Sequence, residues 1–426
     1  MFFKNKFFIS GVLFFMILFS SSNQVLTSNA ENYFSIQSNQ KSNALTGNVT
    51  VVIYNLENYY TSNQINLIQN YVYNVIQPTF STVNFNVSIL NFPQQVDFVY
   101  ANALDSIVSN NNPNYLIILG GTSNGQSIYS MVKNWITGTN NINIKQLALV
   151  DNMITKSDLF NNPNPQLGIH FNSDDKIVND LSVVNVDLSQ AGFMSGVQSS
   201  LLTKTDKIGL IIDHSLKVDF NNILISPSDA QGSPYYSFNR ADFVTGFIAG
   251  VEYGAEFLLD GAHIDLKSVS YDDSTSFSAN VMNSDVATLS DFGADVIFNM
   301  ESGLNSAFLN AASSHSIQTG TFGYNNTNAS FSFIENSQNI VYDLVNHWNT
   351  TSTGVDWTYN LANSSIMSLS SMKDSSLSTI QTEILNGTIK IPNYISQGKI
   401  QGIPGFELPI GLVTLALVIS KRKIKK

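Results

Sequence analysis

Cysteine is absent from all 426 residues, and charge is sparse: Asp, Glu, Lys and Arg together make 12%, with 20 basic against 31 acidic residues. Without cysteine there is no disulfide, so an exported form of this chain must hold together by its core alone. There is also no thiol to carry a lipid behind a leader. The few cations form no patch except Lys421–Lys426. That argues against a nucleic-acid partner, because phosphate neutralisation needs clustered cations. Histidine is scarce and scattered (His170, His214, His263, His315, His347), with no pair four apart and no His-Glu-x-x-His, so no metal centre is expected. The adjacent acids of "YDDSTS" lack the spacing and terminal Glu of a calcium loop. No Gly-x-Gly-x-x-Gly or P-loop is present, which disfavours nucleotide-driven chemistry, and no cofactor is expected.

What is present is a 43% hydrophobic chain long enough for two lobes of ordinary size. At the N-terminus, Lys4 and Lys6 precede the apolar run Phe7–Phe19, and small residues follow to Ala30. This is the layout of a secretory signal over 1–30, with an uncleaved anchor as the alternative. Residues 31–48 read as a polar lead-in. At the other end, 349–402 is rich in Ser, Thr and Asn and reads in part as a stalk, although the apolar patches at 366–369 and 380–391 could pack on the body. Residues 403–426 combine Pro-Gly-Phe, the apolar run Leu408–Ile419 and a basic tail. The run is short for a span of about 20 residues, and the tail favours a C-terminus inside the cell with the body outside. This three-part end resembles archaeal PGF-type sorting signals; a plain helical anchor is the alternative. Either places the body on the outer face of the cell membrane. Seven Asn-x-Ser/Thr sequons, at Asn48, Asn86, Asn325, Asn328, Asn349, Asn363 and Asn386, fit that location, though chance supplies several in so Asn-rich a chain.

Between the ends, short apolar runs alternate with helical spacing. "VTVVIYN", "VNFNVSIL", "YLIILGG" and "KQLALVDN" read as strands, separated by helices such as "INLIQNYVYNVI" and "QSIYSMVKNWI". A second series runs from "LSVVNVD" through "KIGLIID", "IDLKSVSYD" and "ADVIFNM". Apolar strands joined by helices imply parallel sheets covered on both faces. The expected fold class is therefore α/β, with two Rossmann-like lobes. Glycine recurs in "QAGFMSGVQSS" at 192 and 196, and in "FVTGFIAGVEYGAEF" at 246, 250 and 254. Each costs about 1 kcal/mol of helix propensity against alanine, which is tolerable if these helices approach the sheet closely.

These stretches in order resemble the basic membrane protein (BMP) family, the nucleoside-type substrate-binding lipoproteins of ABC transporters. The segments that carry the likeness are "LIILGG", "LALVDN", "VVNVDLSQAGFMSGVQSSLLTKTDKIGLI", "FNRADFVTGFIAGVEYG", "FGADVIFNMESG", "FGYNNTN" and "SFIENSQNIVY", which together span about 49–348. The resemblance implies a type I periplasmic-binding architecture with hinge crossovers: lobe 1 at 49–184 plus 317–348, lobe 2 at 185–316. A small polar solute, with a purine nucleoside among the candidates, would sit between the lobes and be delivered to ABC permease subunits. It also implies a binding protein, not an enzyme.

Solute contacts are then expected just past the strand ends. In lobe 1 they are Asn55, Glu57 and Tyr59, then Gly120, Gly121 and Thr122, then Asp151 and Asn152. In lobe 2 they are Asp272, Asp273 and Phe277, then Glu301, Ser302, Gly303 and Asn305, with Asn325 and Asn326 at the return crossover. Carboxylates and amides suit hydroxyls, and Phe277 or Tyr59 could cover a flat ring. The family's contact motifs are altered here. "NLENYYTSN" stands for Asp-x-Ser-Phe-Asn, "GYNNTN" for Gly-Val-Asp-x-Asp, Ser-Gly-Leu-Asn for Gly-Gly-Thr-Gly, and Glu335 for a lysine. Two further readings remain. A surface-layer or sensing module could use the same lobes. A serine hydrolase could use Ser123 in "GTSNG" with Asp151 and His170.

Overall fold

The computed structural model describes residues 45–56, 60–92, 97–120, 135, 144–150, 179–212, 216–220, 224–227, 238–270, 279–351, 353–371 and 374–392. The expected leader, the expected lead-in up to residue 44 and the expected C-terminal anchor segment lie outside these residues. No helix among the described residues is long and apolar enough to cross a membrane. Leu45–Trp348 and the chain from Ser352 onward form one compact unit.

Two six-stranded sheets carry the fold. In the first, β1 (Gly47–Leu56), β2 (Val83–Phe92), β3 (Tyr115–Leu119), β4 (Gln146–Val150) and β5 (Leu181–Val186) lie in the order 2-1-3-4-5 and are parallel throughout. Strands β6 (Lys207–Ile212) to β12 follow. The hairpin β7 (Leu216–Asp219) and β8 (Leu224–Pro227) stands apart. β9 (Asp265–Ser270), β10 (Val296–Asn299), β11 (Gln318–Thr321) and β12 (Phe331–Glu335) join β6 in the second sheet, in the order 9-6-10-11-12. The second sheet thus repeats the first, which bears out the expectation of two Rossmann-like lobes. β13 (Asp356–Tyr359) closes the first sheet beside β5, parallel. β14 (Met367–Ser370) closes the second beside β12, antiparallel.

The central strands are mostly apolar because helices cover both faces; β3 and β4 are buried along their whole length. In the first lobe, α1 (Ser62–Tyr71, continued by a π-helical turn to Ile76) packs Ile65, Ile68, Val72 and Ile76 against Val49, Val51 and Ile53 of β1. α2 (Asp97–Asn111) supplies Leu104 and Val108 to the core, and its Asp105 accepts a 3.1 Å bond from Nε1 of the buried Trp135. In the second lobe, α3 (Leu188–Leu202) and α4 (Phe238–Tyr253) lie on one face of the sheet. There Phe243 stacks on Phe298 at 5.1 Å and meets Phe322 edge-on at 5.3 Å. α5 (Ala279–Phe292) and α6 (Asn305–Ser313) cover the other face, with Met282, Val286, Leu289 and Phe308 packed on Ile211 and Ile297.

The glycine-bearing helices approach each other, not the sheet as the sequence implied. A Cβ placed on Gly192 or Gly196 would fall on the carbonyls of Phe243 and Phe247, and one on Gly246 or Gly250 on those of Ser189 and Phe193. Equivalent pairs climb both helices together, so α3 and α4 run parallel with their backbones in contact. Eleven residues of α3 are buried, polar Ser195, Gln198, Ser199 and Ser200 among them. A helix enclosed on every side needs no amphipathic stripe.

Three crossovers link the lobes: β5–α3–β6, then β12–α7–β13 with α7 at Ser337–Thr350, then the turn from β13 to β14. This corrects one expectation. The segment 317–348 was assigned to the first lobe, but β11 and β12 pair in the second sheet, and the return begins only after Glu335. Only α7 goes back, packing Tyr342 on Phe80 at 5.9 Å and Trp348 on Tyr115 at 5.8 Å. Much of the Ser/Thr-rich 349–402 is body, as the apolar patches at 366–369 and 380–391 allowed. β13 and β14 complete the sheets, and α8 (Ser376–Leu385) buries Leu377, Ile380 and Ile384. Polar composition is tolerated there because these edge strands are only half buried.

An unusual carboxyl lies in α4, near the start of the first crossover. Asp187 caps α3 through the Ser189 amide (3.0 Å), and burial, together with the nearby Asp187 charge, raises the Asp242 pKa to about 7. The folded state holds this proton more tightly than the unfolded chain, so its contribution to stability is lost as pH rises from about 4 to about 7. Asp242→Asn removes that loss. It is expected to leave stability little changed at pH 4 and to raise it by about 2 kcal/mol at pH 8, on a scale of about 1.4 kcal/mol per pKa unit discounted for the solvent-facing part of the side chain. Urea denaturation at the two pH values checks this.

Candidate functional site

In a sheet of order 2-1-3-4-5, chain connections diverge to opposite sides between strands 1 and 3, and the carboxyl ends there open a crevice. The two switch points of this chain are β1/β3 and β6/β10.

At the first, Asn55 is the penultimate residue of β1. Its side chain is buried; Nδ2 donates to Asn91 Oδ1 (2.9 Å), while Oδ1 accepts from the Tyr60 amide (2.7 Å). Asn55 therefore folds the chain from β1 into α1. The helix opens with a capping box: the Gln64 amide donates to Thr61 Oγ1 (3.0 Å), and the Thr61 amide donates to Gln64 Oε1 (2.9 Å). Across the crevice floor, Gly120 adopts φ +117° after β3, and any Cβ there would strike the Tyr54 carbonyl. Only glycine fits.

At the second, Asn299 closes β10. Its Nδ2 donates to the Glu301 carbonyl (2.9 Å) and to Asn305 Oδ1 (3.0 Å), and its Oδ1 accepts from the Glu301 amide (3.1 Å). Asn305 Nδ2 donates in turn to the Phe322 carbonyl (3.0 Å), tying the end of β10 to the loop after β11. Below this network Arg240, in the first turn of α4, donates from Nη1 to Glu301 Oε1 at 3.1 Å; both side chains are buried. Ser302 is buried at the start of the next turn, and Gly303 is exposed.

A buried hydrogen bond joins the two lobes. Gln64 Nε2 donates to the Gly323 carbonyl at 2.9 Å, across 259 residues of sequence. That carbonyl also accepts from the Glu335 amide (3.2 Å). Gly323 has φ +104°, and a Cβ on it would lie 3.1 Å from both Gln64 Nε2 and the Ser302 Cβ. The carboxyl end of β1 in one lobe and the ends of β10 and β11 in the other thus share a single locus.

Of the contacts expected from sequence, Asn55, Gly120, Glu301, Ser302, Gly303 and Asn305 gather at these two switch points, and Asn325 lies exposed in the loop beyond Gly323. Asn305 was expected to bond to solute; its side chain is fully buried and bonded to Asn299 and Phe322. Glu57, Tyr59, Gly121, Thr122, Asp151, Asn152, Asp272, Asp273 and Phe277 lie outside the described residues, as do Ser123 and His170 of the hydrolase reading. Sequence reasoning passed over Gln64, Gly323, Arg240 and Asn299. Only the first left a signal, the Thr61-x-x-Gln64 spacing of a capping box. Among the described residues no cluster of acids and histidines could hold a metal ion.

The ABC-transporter solute-binding protein of Conexibacter woesei DSM 14684 superimposes on this chain with a TM-score of 0.52 at 10% identity, covering 81% of this chain and 99% of that one. The fold is the type I periplasmic-binding-protein fold. A second neighbour is a transcriptional activator of the comK gene from Bacillus halodurans, at TM-score 0.50 and 10% identity, covering 80% of this chain and 97% of that one. A solute-binding protein of an Aeropyrum pernix K1 ABC transporter system gives 0.48 at 11%, covering 82% of each chain. No protein-family model matches this chain, and a search of curated proteins finds no match. At such identities the likeness speaks for the fold alone, and the fold serves both transport and regulation.

Proposed function

We propose that this chain is an exported, surface-tethered solute-binding protein of an ABC transporter that performs no chemistry of its own. A small polar solute sits between the lobes and is passed to permease subunits. The observation that supports this reading is the facing of two switch points, tied by the Gln64–Gly323 hydrogen bond. In this fold each sheet offers its strand ends to a common crevice, and closure about hinge crossovers is the working motion. Glu57, Asp151 and Asp273 would bond to the solute, Tyr59 or Phe277 would cover a ring, and Ser302, Gly303 and Asn325 would line the second lobe. A purine nucleoside is one candidate because of the BMP-like stretches; the replacement of acids by Asn325 and Thr327 leaves room equally for another polyhydroxylated or heterocyclic solute. The C-terminal segment would hold the protein at the outer membrane face.

A thermal-shift screen of the purified protein against nucleosides, sugars and amino acids tests this. A true solute, bound only by the folded state, is expected to add about 2.7 kcal/mol at a hundredfold excess over its dissociation constant. Silence across all three classes would overturn transport in favour of a structural or sensing module.

A further inference from the structure

Seven sequons occur in the chain, and the fold treats them unequally. Thr50, the hydroxyl partner of Asn48, is buried inside β1. Asn86 donates its side-chain Nδ2 to Asn111 Oδ1 at 2.6 Å. Asn349 lies in the last turn of α7. Asn363 is half buried, with Oδ1 accepting from the Asn360 amide at 3.1 Å. The Ser330 hydroxyl, partner of Asn328, is engaged with the Thr319 amide and Gln318 Oε1. Asn325 and Thr327 are both exposed, but no hydrogen bond links them among the described residues.

Asn386 differs on every count. It is exposed at the C-terminal end of α8, and its Oδ1 accepts from both the amide (3.0 Å) and the hydroxyl (2.6 Å) of Thr388. Its Nδ2 has no partner among the described residues. The intervening Gly387 has φ +76°, and nothing lies within 4 Å of the place its Cβ would take. Asparagine amide and threonine hydroxyl are thus held together on a projecting turn with open space around it. Glycosylation at Asn-x-Ser/Thr needs both groups within reach of an enzyme.

We propose that Asn386 carries an N-linked glycan. This rests on the export in the function proposed above, because the donor, a lipid-phosphate-linked oligosaccharide, is used on the outer side of the membrane. In the transfer, Asn386 Nδ2 bonds to the anomeric carbon of the sugar. The bond from that carbon to the phosphate oxygen breaks, the lipid phosphate leaves with the electron pair, and one amide proton passes to a base of the transferase. No oxidation is involved.

The test is glycopeptide mass spectrometry on the full chain recovered from its native cell, with membrane-surface and intracellular fractions analysed separately. The expected result is a surface-fraction peptide spanning Asn386 that carries hexose or related mass. Thr388→Ala should lose the added mass and Thr388→Ser should keep it, both with unchanged thermal stability because the turn is exposed. A surface protein with bare Asn386 would overturn this inference and leave the transport reading standing. A protein found only inside the cell, with bare Asn386, would overturn both.

Discussion

Arg240→Met is expected to destabilise the protein by about 3–5 kcal/mol, the scale for removing one partner of a buried ion pair. Arg240 and Glu301 are both buried and joined at 3.1 Å. The loss comes from Glu301 more than from Arg240, because the variant strands a carboxylate out of water, where it must either stay charged without its cation or take up a proton. The double variant Arg240→Met with Glu301→Leu should therefore recover most of the loss, since apolar replacements of a whole buried pair are often neutral or better. Urea denaturation of the four proteins in a double-mutant cycle reads this directly. If Arg240→Met proves as stable as the parent, the pair is not buried as described. A secondary effect follows from the backbone of Glu301, which Asn299 holds on both sides. The solute that answers the thermal-shift screen should bind the single variant more weakly, because Ser302 and Gly303 lose their fixed position.

Gly246→Ala is expected to cost about 3 kcal/mol, at the upper end of overpacking in a close-packed interior. Helix propensity alone would favour alanine by about 1 kcal/mol. Packing wins because the new methyl would fall on the Ser189 carbonyl and lie 2.8 Å from the Phe193 amide nitrogen. Both obstacles are backbone, so no rotamer change relieves the clash and α3 and α4 must separate. Separation opens the Phe243–Phe298–Phe322 cluster beneath them. Gly246→Ala with Gly250→Ala should fail to give a cooperative unfolding transition at all. A single variant that gained stability would show that the helices are not in backbone contact.

Much of the architecture was legible from local pattern. Apolar runs of strand length separated by helical spacing gave β1–β6, β9 and β10, since a strand covered on both faces keeps few polar residues to mask the run, whereas β7, β8 and β11–β14 are short or polar and were not read. The paired glycines of 192/196 and 246/250 signalled close approach for the same reason: a helix interior tolerates glycine poorly without a packing gain. What they approach was not legible, because a smooth stripe fits a sheet or another helix equally well. The return crossover was misplaced for a related cause. Gln318–Thr321 and Phe331–Glu335 look like strands of either sheet; partnering is decided by long-range pairing with Val296–Asn299, not by their own composition.

The site divides in the same way. Strand ends could be read as loci of polar residues, which brought Asn55, Ser302, Gly303 and Asn305 to the switch points. Whether an asparagine there faces solute or ties down backbone depends on which carbonyls and amides arrive beside it. For Asn305 those are Asn299 and Phe322, six and seventeen residues away. Sequence alone determined the two α/β halves, the absence of disulfide and metal chemistry as an expectation, and the candidate loci, since all of these follow from composition and short-range period. Only the tertiary structure decided that α3 and α4 pack backbone to backbone, that β13 and β14 close the two sheets, and that Gln64 meets Gly323. Each of these joins groups far apart along the chain, whose proximity arises from the folded packing and not from their local sequence.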